Sequence, residues 1–389
     1  MNMHIIQVTP RFPPAIGGVE EHVYQISLEL LKRGHNVTVI TSNEVDGKIY
    51  PLQMEVMQGI HVYRLPLFMP KLLRELWFTP DIRRIFRRLR GDVVHAHGYR
   101  CLSSCIAVYL AHSKRIPTVL TPHGIYPPRS FVNALLKSIF DRTLGRLLLS
   151  FSDRIIALSE HNVRLILQIG ASTKNIVIVP NGVNIDEYMK LQRSKKILDE
   201  LGSDGPILLY IGRIDWNKRL EKVVESMPLI LKEFPSAKFV IVGPDYAKYT
   251  NQLLDLARKL KVEHSLVITG KVPRKKLLEF YSMANVFLLP SSYEGFGLSM
   301  LEAISSKIPV IASPSGGPGD ILTHGVDALL LEEPTPEEIF KSVYAVLTDQ
   351  ELRETLVKNA FEVVKKKYTW KSVVDELQLI YKQLITEKQ

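Results

Sequence analysis

Short apolar runs alternate with longer amphipathic stretches along the chain. Ile5-Ile6-Gln7-Val8 reads as a strand, with Gly17-Gly18 in the loop behind it. Glu20 to Lys32 reads as a helix that stops near Gly34. Asn36 to Ile40, Asp92 to His97, Pro117 to Thr121, Asp153 to Leu158 and Ile176 to Val179 continue the series of strands. Strands that alternate with helices predict a parallel sheet covered on both faces.

A second series starts near Pro206. Ile207 to Ile211, Lys238 to Val242, Leu266 to Ile268, Val286 to Leu289 and Val310 to Ala312 read as strands, with helices between them. The pattern predicts a second doubly wound domain of similar size. Pro180-Asn181-Gly182 is a turn signal, and the polar, basic stretch Met189 to Lys196 suits a linker. The boundary is therefore expected between Asn184 and Gly205, which gives domains at 1–190 and 200–366 and a last helix in 367–389. That helix has Thr369 as its N-cap. Its stripe of Val373, Val374, Leu377, Ile380, Tyr381 and Leu384 needs a surface to bury against. In open parallel sheets, ligands bind beyond the carboxyl ends of the strands. The expected site is thus a cleft between two such domains.

At 389 residues the chain suits two domains rather than one core. Apolar usage of 46% and charged usage of 23% are ordinary for globular proteins, which argues against disorder. The apolar runs fall short of the roughly 18 residues of a spanning helix, and Met1 to Val8 lacks the features of a signal peptide. A cytoplasmic protein is expected. Cys101 and Cys105 have no partner cluster for a zinc site or disulfide framework, and read as two small core residues on one helix face. The net charge of +10 is uneven: residues 1–195 carry 25 Lys and Arg against 14 Asp and Glu, and the remainder 25 against 26. The first half therefore attracts anions, whether nucleic acid, acidic lipid headgroups or phosphorylated acceptors.

The strongest chemical signal is Ser291 to Ala303. A strand ends at Pro290, Gly295 and Gly297 permit a tight turn, and a helix opens near Leu298. Freed backbone N–H groups and the helix dipole make a phosphate site there. Glu294 lies in the loop and Glu302 about one turn into the helix. One carboxylate is placed to approach a sugar, and the other to accept ribose hydroxyls. The plain alternative is a glycine turn with two solvated acids. Arg213 and Lys218 leave the strand Ile207 to Ile211 together. They form a fork and a point charge suited to a leaving diphosphate, or else are two solvated charges.

Pro14 to Glu20 is a strand-to-helix loop whose Gly17 and Gly18 allow close backbone approach to a ligand. It is not G-x-G-x-x-G, so a nicotinamide reading lacks support. His123, in Thr121-Pro122-His123-Gly124, follows a strand directly and is placed to donate to a sugar hydroxyl, unless it is structural. His95 and His97 are expected on opposite faces of their strand, one in the core and His97 toward the cleft.

In order along almost the whole chain, these segments resemble the retaining GT-B glycosyltransferases of glycosyltransferase family 4. The likeness rests on Gly17-Gly18, Thr121 to Gly124, Ser159-Glu160, Val179 to Val183, the pair Arg213 and Lys218, and the E-x7-E span from Glu294 to Glu302. It implies two Rossmann-like domains, the first taking the acceptor and the second a nucleotide-diphosphate sugar. By the same resemblance, Glu302 binds the ribose and Glu294 the donor sugar. Arg213 and Lys218 hold the diphosphate with the backbone N–H groups of Phe296, Gly297 and Leu298. Gly17 and Gly18 close on the diphosphate, His123 contacts the sugar, and the last helix returns to the first domain. It further implies retention of configuration with no metal and no cofactor. Three positions depart from the family pattern: Arg219 and Lys307 where glycine is common, and Asp320 where Glu is usual.

Leu67 to Phe78 and Ile82 to Leu89 mix apolar residues with Lys71, Arg74, Arg83, Arg84, Arg87 and Arg88, as an interfacial helix would. Peripheral contact with an anionic membrane and a lipid or lipid-linked acceptor is the resulting hypothesis. An ordinary packed helix with a basic face is the alternative. A sugar-nucleotide epimerase, a phosphorylase, a nucleic-acid-binding protein and a non-catalytic partner subunit are weaker readings. The chain shows no motif for a lysine-bound cofactor, and it retains Arg213, Lys218, Glu294 and Glu302.

Overall fold

The computed structural model describes residues 2–45, 48–50, 54–68, 76–125, 131–192, 195–245 and 248–388. The chain packs into two units, Met1–Gly182 with Trp370–Gln389, and Val183–Thr369. The stretch Met189 to Lys196 expected as a linker is flanked by two helices, Ile185–Met189 and Lys195–Leu201, and both group with the second unit. Ile185 and Tyr188 are buried, which anchors the first of these helices.

The first unit is an eight-stranded sheet in the order Ile176–Ile178, Arg154–Ala157, Thr118–Thr121, Val93–His97, His4–Val8, Asn36–Ser42, Ile60–Leu65, Met54–Met57. Its strands are parallel except the last, which pairs antiparallel with Ile60–Leu65. This exception escaped the sequence reading. Its turn residues Gln58 and Gly59 both have positive φ, as a tight hairpin requires, and Gln is an unusual residue for that role. The central strands Val93–His97 and Thr118–Thr121 are buried at every residue, on both faces, and their polar His95, His97, Thr118 and Thr121 are buried with the rest.

The final helix, Trp370–Lys388, belongs to this unit. Its stripe buries Val373, Val374, Leu377, Tyr381 and Leu384, while Ile380 is only half-buried. Arg33 fastens it, with Asp375 at 2.9 Å and Gln378 at 3.2 Å.

The second unit is a six-stranded sheet in the order Leu266–Gly270, Lys238–Val242, Ile207–Ile211, Val286–Leu289, Val310–Ala312, Leu329–Leu330, with every pairing parallel. The order reverses at Ile207–Ile211 beside Val286–Leu289, so the loops after these two neighbours open where such sheets bind ligands.

Helix Ile82–Arg88 buries Ile82 and Phe86 in the first unit's core, while Arg83, Arg84, Arg87 and Arg88 are exposed. Its apolar face is thus occupied, so the expected interfacial insertion is corrected to a packed helix with a free basic face. Lys71 and Arg74 lie outside the described residues. Among the described residues, no helix is long and apolar enough to cross a membrane. Cys101 caps the helix Leu102–Ser113 from outside it and Cys105 lies within it; both are free thiols.

Candidate functional site

Two loops of the second unit converge. After Ile207–Ile211 the chain turns at Gly212, where the Tyr210 hydroxyl donates to the Arg213 carbonyl at 2.8 Å. Arg213 is exposed, and the short 3-10 turn Trp216–Lys218 then brings Lys218 inward, where it is buried. After Val286–Leu289, the second loop is stitched to the first by Ser292, whose N–H and hydroxyl both donate to the Asn217 carbonyl, at 2.8 and 3.1 Å. Lys218 Nζ then lies 2.6 Å from Glu294 Oε2. Burial pushes the Tyr210 phenol well above its usual range, and the negative Glu294 adds to this. The phenol therefore stays a neutral donor.

Gly297 caps the helix Leu298–Ser305 in a left-handed conformation, with no side-chain hydrogen bond to the first turn. The leading amides of that helix are thus available to an anion. Behind the loop, Gly316 and Gly317 press on the backbone of Glu294 and Phe296. A Cβ on Gly316 would fall 1.8 Å from the Glu294 carbonyl, and one on Gly317 would fall 2.2 Å from that of Phe296. This contact explains the glycines of the segment that ends at Asp320.

The two glycine departures also find a physical account. Arg219 has φ 49° and Lys307 has φ 59°, both left-handed. Glycine adopts this conformation freely, whereas an L side chain strains in it. The backbone has kept the shape that glycine permits, and the side chains bear the strain.

Glu302 is mostly buried and doubly held. Tyr281 Oη donates to its Oε2 at 2.6 Å, and Arg274 Nη1 to its Oε1 at 3.2 Å. Arg274 in turn donates from Nε and Nη2 to Glu187, at 3.1 and 2.7 Å, and from Nη2 to the Tyr188 hydroxyl at 2.7 Å. The sequence reading missed Arg274, Tyr281, Glu187 and Tyr188. The available signal was the seven-residue spacing of Arg274 and Tyr281, which puts both on one face of the helix Arg274–Tyr281.

In the first unit, Gly17 precedes the helix Gly18–Lys32 with extended backbone, and Gly18 opens the helix. The Glu20 carboxylate lies over Gly17 and pairs with Arg11 at 2.6 Å. His123 has φ 58° and is buried within a group of imidazoles. His95 and His97 were expected on opposite faces, but their rings stand 4.2 Å apart. Residues two apart in a strand share a face, and that is the correction. His97 is fully buried and lines nothing open.

The hydrogen bonds assign the ring protons. His22 Nδ1 donates to Asn181 Oδ1 and His97 Nε2 to Gln7 Oε1, both at 2.6 Å. His97 Nδ1 then accepts from His123 Nε2 at 3.0 Å, which leaves His123 Nδ1 as an acceptor and corrects the expectation that His123 donates to a sugar hydroxyl. His95 is spent on the core, bonded to Tyr381 Oη and Thr121 Oγ1. Burial pushes His22 down to about 4, and His95, His97 and His123 well below their usual value. Nitrogens of His22, His97 and His123 lie within 4.8 Å of one another, a spacing that admits a cation.

Two Rossmann-like units with mainly parallel sheets are the GT-B fold. Residues 193–363 match the family described as Glycosyl transferases group 1, and residues 16–187 match Glycosyltransferase Family 4. The chain is 30% identical to an uncharacterized glycosyltransferase of Methanocaldococcus jannaschii, over 98% of each. It is 24% identical to the phosphatidylinositol N-acetylglucosaminyltransferase GPI3 subunit of Saccharomyces cerevisiae, over 98% of this chain and 83% of that one. Among solved structures, Anabaena HepE in complex with UDP and glucose superposes with a TM-score of 0.79 at 18% identity, covering 97% and 99% of the two chains. Sucrose-phosphate synthase from Thermosynechococcus elongatus gives 0.82 at 21%, covering 99% and 100%. The chain belongs to the group 1, family 4 glycosyltransferases.

Proposed function

We propose that this glycosyltransferase moves a hexosyl group from a nucleoside-diphosphate sugar to an acceptor hydroxyl, with retention of anomeric configuration and without a metal. The observation that carries the reading is the buried Lys218, paired with Glu294 beside the uncapped start of the helix Leu298–Ser305. A cation, a carboxylate and free amides together fit a sugar bound through a diphosphate.

In this reading Arg213, Lys218 and the amides of Phe296, Gly297 and Leu298 receive the diphosphate, with Gly295 in the donor-binding turn. Glu294 faces the sugar and Glu302 accepts the ribose hydroxyls. The anomeric C–O bond to phosphate breaks as the acceptor oxygen bonds to the same face, and the acceptor's proton passes to the departing phosphate oxygen. Lys218 stabilises the charge that grows on that oxygen, the electrostatic work a metal does elsewhere. The donor contacts of Gly17, Gly18 and His123 follow the family pattern, with His123 Nδ1 receiving a sugar hydroxyl.

A screen of nucleoside diphosphates and their sugars by thermal shift tests the donor. One nucleotide is expected to stabilise the protein well above the rest, and a flat screen would count against the reading. NMR of the product reports its anomeric configuration, and donor incubated alone separates transfer from epimerisation. Activity is expected to survive chelation.

The acceptor is a lipid or lipid-linked glycan in this proposal. Support comes from the phosphatidylinositol acceptor named in the GPI3 relative and from the exposed Arg83, Arg84, Arg87 and Arg88. Contact with the surface is electrostatic, because the helix's apolar face is packed inside. Sedimentation with anionic vesicles is expected to exceed that with neutral ones and to fall at high salt; equal binding to both would overturn it.

A further inference from the structure

Arg274 holds two carboxylates at once, and only one of them belongs to the E-x7-E span. Its Nε and Nη2 face Glu187, and Nη1 reaches Glu302. A fork occupied in this way is not open to a phosphate. The chemistry of its neighbours points instead to orientation of a carboxylate.

We propose that Arg274 is a positioning residue for the nucleoside end of the donor, aligning Glu302, with Tyr281 and Tyr188, so that the remaining acceptor position of the carboxylate meets a ribose hydroxyl. The inference rests on the reading of Glu302 as the ribose acid. Each carboxylate oxygen has about two acceptor positions. Tyr281 fills one on Oε2 and Arg274 one on Oε1, and the Tyr188 hydroxyl is a third partner of the carboxylate, so about one position stays open for a ribose hydroxyl. Without these partners a glutamate side chain samples several rotamers, and binding would have to order it.

Three helices converge on this one carboxylate. Arg274–Tyr281 brings both donors, one at each end of the helix, and Ile185–Met189 brings Glu187 and Tyr188, which fix the guanidinium. The Arg274 guanidinium also lies 5.4 Å from the centre of the Tyr188 ring, and the Tyr188 and Tyr281 rings meet edge to face at 5.5 Å. Burial, with the nearby Glu302 charge, holds both phenols well above their usual range, so they stay neutral donors. Arg274, Glu187 and Glu302 together carry one negative charge, which suits a neutral ligand end that offers an O–H group. The Arg274 side chain is 41% exposed and that of Glu187 28%, so the pair contributes little to folding.

The test is calorimetric. Wild-type protein, Arg274→Gln, Glu187→Gln and Glu302→Ala are titrated with the nucleoside diphosphate that wins the screen and with its 2′,3′-dideoxy analogue. Wild type is expected to favour the ribose form. Arg274→Gln is expected to weaken ribose-form binding by about tenfold, leave the dideoxy form within about twofold, and barely move the melting temperature. Glu187→Gln shows the same selective loss, smaller in size, and Arg274→Gln adds nothing on top of Glu302→Ala. An equal loss for both ligands, or no loss for either, overturns the proposal. Absence of nucleotide binding by the wild type would overturn the parent reading instead, and this one with it.

Discussion

Lys218 and Glu294 form an ion pair of 2.6 Å between loops that leave neighbouring parallel strands, Ile207–Ile211 and Val286–Leu289. Seventy-six residues separate them in sequence. The pair places the cation of one loop against the carboxylate of the other, with the first turn of Leu298–Ser305 alongside.

Lys218→Ala is expected to lower kcat by roughly 10² to 10³, the usual size for removing one donor to a developing anion, with a smaller change in KM. Steady-state kinetics with the identified donor checks it. Full kcat in the variant would remove Lys218 from leaving-group stabilisation.

Gly316→Ala tests whether the glycine segment shapes the Glu294 loop. The residue has φ 72°, and the added Cβ would fall 1.8 Å from the Glu294 carbonyl. Backbone must move to relieve that contact, so a loss on the order of 2 kcal/mol in urea denaturation is expected. Donor affinity should fall with it. A variant of unchanged stability would show that the two segments are not pressed together.

Arg219→Gly is expected to stabilise the protein by about 0.5 to 1 kcal/mol. Glycine removes the left-handed strain and gives back part of the gain through unfolded-chain entropy. Lys307→Gly should gain less, because Lys307 Nζ stands 5.6 Å from the Phe361 ring centre and that attraction is lost. Melting temperatures of the two variants decide this; a drop in Arg219→Gly would mean that the side chain contributes more than the strain costs.

The imidazole group makes stability depend on pH with a definite sign. Buried His22 binds a proton only near pH 4, and His95, His97 and His123 are likewise lowered, whereas an unfolded histidine titrates near 6.5. The unfolded chain thus takes up protons first as the solution is acidified. The stability these groups contribute is complete above about pH 6.5 and is lost as pH falls toward 4. Urea midpoints measured from pH 7.5 to 4.5 should decline through that window. A flat profile between pH 7 and 5 would show that the four rings titrate normally in the folded protein.

Six of the eight strands of the first sheet, five of the six of the second, the glycine turn before Leu298 and the spacing of Glu294 and Glu302 were legible from local pattern. The reason is physical: a strand buried on both faces favours apolar residues along its length, and glycine is the residue that adopts a left-handed conformation most freely in a strand-to-helix turn. Such demands act within about ten residues, so the chain records them directly. The hairpin at Gln58-Gly59 was not legible, because Gln bears the positive φ that Gly or Asn usually signals.

Tertiary structure decided what lies between distant segments. Pairing of Lys218 with Glu294, the seating of Glu302 between Arg274 and Tyr281, and the linkage of Gln7, His97 and His123 all depend on which strands became neighbours. Ile82–Arg88 shows the same division. Its sequence determined an amphipathic helix with a basic face, and only packing against Val94, Ala107 and Ala111 decided that its apolar face is core. Periodicity specifies which residues share a face; the free energy of burial selects what that face meets, and that selection is made by the whole fold.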